Sequence, residues 1–384
     1  MSAIPQLRIC LVTDSTEPSG VGRHILDLAE GLSAGHRVVV AAPAAPLARR
    51  LLRGAHLLDA EVWELPDAGP RVIADALRQR LAAEPVDLVH VHAGIAWEGH
   101  EVAGAARAAG VGAIIRTEHC PYVLTNDLDA RRYAHGIDAV DEIICVSHGV
   151  RGSFVDAGVA PERLRVVLNG VADRPPRASR AEIRSALGVA DGARMAVTVA
   201  RLTEQKGHRD LITAVPAVLS RVPGTRFIWV GDGPLEGTIR AALRDAGLEN
   251  DVALLPHHDD VPGLLAAADV VVLPSRFEGL PLVALEAMAA ARPVVGTAVI
   301  GLVETIRDRR TGRLVNPGDA EGLGAAIAEV LADPQLAETW GAAGHDWQRR
   351  AFTTERMVAS TLRIYQGLLD RDSGEVLISM AAAL

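Results

Sequence analysis

Cysteine is scarce. The chain of 384 residues has three, Cys10, Cys120 and Cys145. So sparse and odd a set excludes a disulfide framework and points to reduced thiols in a cytoplasmic protein, each in an apolar context that favours packing over reactivity. Positive charge is also short. The formal net charge is −9, the wrong sign for a chain that grips nucleic acid through a basic field. No uninterrupted apolar stretch reaches the ~18 residues of a membrane-spanning helix. No charged segment and long apolar core precede the first strand-like run at Leu7–Val12, so no signal peptide is expected. No short repeat of solenoid type is present, and the alanine-rich end from Ser379 is too short to cross a bilayer.

What is present is a hydrophobic content of 49%, enough for roughly two or three domains with real cores. Eleven strand-like runs alternate with helix-like stretches: Arg8–Thr13, Arg37–Ala42, Asp87–Val91, Ala113–Glu118, Glu142–Val146, Arg165–Leu168, Met195–Ala200, Arg226–Val230, Val252–Leu255, Val270–Leu273 and Pro293–Gly296. This alternation predicts parallel sheets covered on both faces, in two Rossmann-like halves. The polar, proline-containing Asp173–Arg177 marks the break. The expected division is a first domain at 1–172, a linker region at 173–192 and a second domain at 193–352, with a closing helix and tail at 353–384.

Ligands of open α/β sheets sit outside the carboxyl ends of the strands, so the strand-end motifs matter most. Asp269–Leu273 reads as a buried strand. It leads into Glu278, Gly279, Leu280, Pro281 and Leu282, then a helix carrying Glu286. Two carboxylates eight residues apart thus flank a strand-to-helix turn, whose free N–H groups suit phosphate. Arg201 and Lys206 leave the end of the first strand of the second half, where they can neutralise a diphosphate without a metal. Gly231 and Gly233 follow the next strand and permit close backbone approach. In the first half, Gly20 and Gly22 read as a ligand-facing turn before a helix at Ile25–Ser33. Ile25 stands where a dinucleotide fingerprint needs its third glycine, so NAD is disfavoured.

Other features carry a bland reading beside a functional one. Leu47–Leu58 holds Arg49, Arg50 and Arg53 among leucines, a solvated face or a peripheral membrane contact. His90 and His92 share one face of a strand. A metal there needs a third ligand that the sequence does not locate, so His92 is expected at the site and His90 in packing. His257 and His258 read as loop. His119 closes another strand, as a site residue or a hydrogen-bonded structural histidine. Asp127-Leu128-Asp129 matches a metal-binding pattern too short to weigh. Ser147 reads as a helix N-cap and Asn169-Gly170 as a turn.

Together, Arg201 to Lys206-Gly207, Gly231-Asp232-Gly233-Pro234 and Glu278 to Glu286 resemble the retaining GT-B glycosyltransferases of family 4. Ser19–Gly22, Thr117–His119 and Leu168–Val171 match the family's N-terminal half less sharply. The likeness runs from about residue 7 to about 369. It implies an α/β GT-B fold, two Rossmann-like domains facing each other across a cleft, with a C-terminal helix crossing back to the first. It implies a hexosyl- or N-acetylhexosaminyltransferase that moves a sugar from a UDP- or GDP-sugar to the hydroxyl or amine of a small-molecule, glycan or lipid-linked acceptor. No metal or other cofactor and no nucleic acid is implied, and the setting is cytoplasmic or peripheral at the inner membrane face. By the same resemblance, Glu286 binds ribose hydroxyls, and Arg201 and Lys206 hold the diphosphate. Glu278 meets sugar hydroxyls, helped by N–H groups from Gly279 to Leu282, and His119 supports the reacting carbon. Gly20 and Gly22 face the phosphate or the acceptor, and His258 lies near the nucleobase. A sugar-nucleotide epimerase and a non-catalytic nucleotide-sugar-binding protein are the alternatives on a similar scaffold.

Overall fold

The computed structural model describes residues 6–382, with side chains described to residue 370. The side chains of the alanine-rich end therefore lie outside the described residues. The chain forms two compact units. One runs to Gly170 and takes in the segment from Thr354; the other is Val171–Thr353.

The first unit holds seven parallel strands: β1 (Arg8–Val12), β2 (Arg37–Pro43), β3 (Glu61–Leu65), β4 (Leu88–Ala93), β5 (Ala113–Glu118), β6 (Glu142–Cys145) and β7 (Leu164–Val166). Their order is β3-β2-β1-β4-β5-β6-β7, so the topology reverses between β1 and β4. The central strands are buried along their whole length, as expected where helices cover both faces of a parallel sheet. The helix Ser19–Ser33 packs on the closing helix Thr354–Ala382. Gly31 allows that approach, since a Cβ there would stand 2.5 Å from Val358. Met357, Tyr365 and Leu368 of the closing helix join the core of Ile9, Leu11, Ile25 and Leu28.

The second unit holds six parallel strands: β8 (Met195–Val199), β9 (Arg226–Val230), β10 (Val252–Leu255), β11 (Val270–Leu273), β12 (Val294–Thr297) and β13 (Gly312–Val315). Their order is β10-β9-β8-β11-β12-β13, which reverses between β8 and β11. One core, around Phe227 and Trp229, forms with the helices His208–Arg221 and Ala320–Ala332. A second, around Ile228 and Met288, forms with the helices Val261–Ala267 and Leu282–Ala289.

All eleven expected strands are present, with two more at sheet edges. β3 and β13 escape a search for buried apolar runs because each is short and half polar. Pairing with β2 and β12 makes them strands, which is context rather than local preference. The stretch expected as a linker region contains the helix Arg180–Ala186, closed by a Ser179–Glu182 capping box. Its Ile183, with Val189, packs against Leu264 and Leu265 in the second unit.

Candidate active site

The turn after β8 and the turn after β11 meet at the reversal point of the second sheet. Lys206 Nζ donates to Glu278 Oε1 at 2.6 Å, and Ser275 Oγ donates to the same oxygen at 2.7 Å. Arg276 N bonds Gln205 O at 2.7 Å, and Gln205 Nε2 bonds Phe277 O at 3.0 Å. These bonds clamp the two turns, so the cation and the carboxylate expected from separate motifs form one unit. Gly207 permits the contact: its φ is +68°, and a Cβ there would fall 1.9 Å from Pro274 O. Arg201 is half-buried and has no ion pair among the described residues, so its charge is open to an anion.

Behind Lys206 lies a residue that the sequence did not single out. His208 is buried, with both ring nitrogens unpartnered, and meets Trp229 edge-on at 5.7 Å. Burial first, and Lys206 second, lower its pKa to about 4, so a neutral ring lies beside the cation.

Glu278 sits in the loop after β11, and Glu286 in the second turn of the helix Leu282–Ala289. Pro281 is the N-cap of that helix, with extended ψ of 123°. It also has no N–H, so the expected run of donors from Gly279 to Leu282 reduces to Gly279, Leu280 and Leu282. Leu280 and Pro281 are buried, and Leu282 and Glu286 are half-buried. Gly301, from the turn after β12, backs the loop; a Cβ on it would stand 2.2 Å from Gly279 O.

Gly231 and Gly233 have an internal reason for lacking a side chain. A Cβ on Gly231 would stand 2.0 Å from Ala200 O, and one on Gly233 2.5 Å from Leu202 O. The close backbone approach that they allow is to the Arg201 turn, fastened by Leu202 N to Asp232 O at 2.9 Å and Leu235 N to Leu202 O at 3.0 Å. Asp232 also accepts from His257 N at 3.2 Å. His258, half-buried in the same loop, accepts from Asp260 N through Nδ1 at 3.1 Å.

In the first unit, the expected glycine turn is helical. Gly20 and Gly22 lie in the first turn of the helix Ser19–Ser33, which starts six residues earlier than expected. Gly20 is exposed with open space where a Cβ would be, whereas Gly22 packs on Pro18 and Leu51. His119 follows β5, and two other histidines gather around it. His92 Nδ1 lies 3.3 Å from His119 Nε2, and the His24 ring meets the His119 ring edge-on at 4.6 Å. His24 and His119 thus gather on His92, and the His90–His92 pair suggested by the sequence is not the group that forms. His90 packs, as expected, with Nδ1 against Tyr365 OH at 2.6 Å and Nε2 against Thr117 Oγ1 at 2.7 Å. Burial lowers the pKa of His24 to about 4 and pushes those of His90, His92 and His119 well down.

The remaining motifs resolve locally. Asn126 caps the helix Asp127–Gly136 by accepting from Asp129 N, and its amide reaches Asp129 Oδ2 at 2.7 Å. Asp127 and Asp129 are therefore first-turn acids of a capped helix. Ser147 caps its helix through Val150 N at 3.1 Å. Arg49, Arg50 and Arg53 are exposed on the helix Arg49–Leu57, whose Leu51, Leu52 and Ala55 are buried. No described helix is long and apolar enough to cross a membrane. Cys10 and Cys145 are buried, and burial raises the thiol of Cys10 to about 12.

The chain matches the family model described as Glycosyltransferase Family 4 over residues 18–174, and that described as Glycosyl transferases group 1 over residues 193–333. It is 32% identical over 313 residues to the GDP-mannose-dependent alpha-(1-6)-phosphatidylinositol monomannoside mannosyltransferase of Mycobacterium tuberculosis, covering 78% of this chain and 80% of that protein. It is 26% identical to the N-acetyl-alpha-D-glucosaminyl L-malate synthase of Bacillus anthracis over 307 residues, with coverage of 78% and 80%. Among solved structures, Anabaena Alr3699/HepE in complex with UDP and glucose superposes with a TM-score of 0.82. That match is at 20% identity and covers 94% of this chain and 100% of that one. The lipopolysaccharide glycosyltransferase WaaG superposes at 0.70, with 19% identity and coverage of 89% and 95%.

Proposed function

This chain belongs to glycosyltransferase family 4 and transfers a sugar from a nucleotide sugar, and on that premise we propose that it is a retaining, metal-independent enzyme using a nucleotide-diphosphate hexose. The observation that carries this reading is the clamp between the Arg201–Lys206 turn and the Glu278–Glu286 loop. In it Arg201 and Lys206 bind the diphosphate and take up its charge as it leaves. Preorganised charge of this kind is usually the largest catalytic contribution. The N–H groups of Gly279, Leu280 and Leu282 and the start of the following helix add to it. Glu278 accepts from sugar hydroxyls and positions Lys206; Glu286 accepts from the ribose. His119, neutral because it is buried, meets the sugar near its reacting carbon. The loops of Gly231–Gly233 and His258 shape the nucleotide end, and Gly20 and Gly22 the acceptor side.

GDP-mannose is the first donor to test, since the mycobacterial relative is named for it. The same relative's name supports a lipid-linked acceptor. The exposed Arg49, Arg50 and Arg53, with Leu57 at 83% exposure, fit a peripheral contact with an anionic bilayer. A thermal-shift panel of nucleotide diphosphates and their sugars identifies the donor, because a ligand at ~100 times its Kd stabilises by about 2.7 kcal/mol. Donor hydrolysis or transfer by Arg201→Ala and Glu286→Ala then tests the site. Arg201→Ala should lose ~100-fold or more in kcat/KM, and Glu286→Ala ~10–100-fold; full activity in both would mean that the donor binds elsewhere.

A further inference from the structure

We infer that His24, His92 and His119 form a three-imidazole site for a divalent transition metal, zinc first among them. Their candidate ligand atoms all lie within 4.8 Å of one another. The His92 Nδ1 to His119 Nε2 separation of 3.3 Å matches the edge of a tetrahedron with metal–nitrogen bonds of about 2.0–2.1 Å. Three imidazoles with a fourth position open are a donor set that suits zinc, cobalt, nickel and copper.

The surroundings set the rings up as ligands. His24 Nδ1 donates to Asn169 Oδ1 at 3.0 Å, which leaves the Nε2 lone pair for a metal. A ligating histidine with its outer N–H on a carbonyl oxygen is the usual supporting arrangement, and it fixes tautomer and ring angle together. His92 is fully buried, with the tilted His90 ring 4.1 Å from its own, and it presents Nδ1 toward His119. His90 itself is excluded as a ligand, since Tyr365 and Thr117 occupy both of its nitrogens. The bland alternative is three packed structural histidines, which would account for burial. It accounts for the His92–His119 contact as a hydrogen bond, but not for a third imidazole nitrogen within 4.8 Å of both.

The site lies within one unit and does not depend on the transferase reading, with one consequence excepted. If His119 meets the donor sugar, metal and donor exclude each other, and micromolar zinc inhibits a reaction that needs no metal. Cobalt titration of the full chain, without donor, tests the site itself. One equivalent should bind with the visible absorption of a tetrahedral nitrogen-ligated ion, and zinc should displace it. His24→Gln and His92→Gln should each abolish that spectrum, and Asn169→Ala should weaken binding by ~10–100-fold. An anomalous difference map from a zinc-soaked wild-type crystal needs no variant to fold. An ion between the three rings supports the site. An ion only at the surface pair His257 and Asp259, or a cobalt spectrum indifferent to His24 and His92, overturns it. Failure of the transferase reading would show separately, in the Arg201 and Glu286 variants.

Discussion

Lys206 donates to Glu278 at 2.6 Å with both side chains largely buried, and Lys206 is the only lysine in the chain. Every other basic side chain of the Lys and Arg type is arginine, so the ammonium at this position answers a local need. A compact, mobile point charge fits under Glu278, and a planar guanidinium does not replace it. The solitary lysine also makes a direct experiment possible. An amine-reactive reagent has one side-chain target, read by peptide mass. Nucleotide diphosphate at ~100 times its Kd should slow modification of Lys206 by up to ~100-fold, since that small a fraction stays unliganded. Unchanged labelling in saturating ligand would remove Lys206 from the diphosphate site.

Lys206→Met separates the two duties of the pair. It leaves the Glu278 carboxylate buried with only Ser275 Oγ from the original set. A buried group that loses a charged partner costs about 1–3 kcal/mol, seen as a lower urea midpoint. Loss of the phosphate cation should lower turnover by ~100-fold. Lys206→Arg should restore charge without the fit and recover only part of the rate. Full recovery would show that charge alone matters.

Glycine substitutions distinguish ligand approach from internal packing. Gly207→Ala and Gly231→Ala place a Cβ about 2 Å from a carbonyl oxygen, at φ of +68° and +152°. Strain and displacement together should cost about 3 kcal/mol or more. Gly20→Ala meets nothing within 4 Å in a helical turn and should gain about 0.5–1 kcal/mol. Urea titration of the three variants orders them. A Gly231→Ala protein as stable as wild type would defeat the packing account, and weaker donor binding by Gly20→Ala would move that glycine from the acceptor side to the donor.

Much of this arrangement is legible before any coordinates. The strands of both sheet centres are continuous apolar runs, and their carboxyl ends are where the charged motifs fall. What stays hidden is anything made by long-range pairing. β3 and β13 are strands because a neighbour pairs with them. The helix at Arg180 looks like linker because its one buried residue, Ile183, stands among charges. The histidine cluster draws on three elements: His24 and its partner Asn169 are 145 residues apart. Only His92 and His119 carry a local signal, as polar groups ending buried strands. Glycine is legible as a need for close approach, but not for close approach to what. Gly231 and Gly233 read as facing a ligand, and they face the chain's own Arg201 turn.

Stability should fall as pH is lowered below neutrality. Burial lowers the folded pKa of His24, His100 and His208 to about 4, against an unfolded value near 6.5. The unfolded chain therefore takes up protons first. Stability is fully present above pH ~6.5 and is lost as pH falls toward ~4. Asp27 has the opposite sign. Burial raises it to about 6, so protonation on the way down favours the folded state and offsets part of the loss. Between about pH 7.5 and 5, each histidine accounts for about 2 kcal/mol if it titrates independently. His24→Gln should show a shallower dependence. Urea midpoints that do not move over this range would show that these rings are hydrated in solution.

Glu286 should act on binding more than on chemistry. It stands in the second turn of its helix, half-buried, eight residues beyond Glu278. Glu278 is tied to the cation, which the proposed function assigns to the phosphates. In the same proposal the carboxylate in the second turn of the following helix meets the neighbouring ribose, which does not change during transfer. An interaction with a part of the substrate that does not react is equally strong in the ground state and the transition state. Its loss raises KM and leaves kcat almost unchanged. Glu286→Ala should therefore weaken donor binding by ~10–100-fold, the range for a hydrogen bond to a charged group. Saturating donor should restore most of the turnover, and Glu286→Gln should fall between. Calorimetry with the nucleotide diphosphate reads the affinity without any chemistry. If Glu286→Ala binds donor as tightly as wild type while kcat collapses, the carboxylate works at the reacting end, and the donor must lie along the loop in the opposite sense.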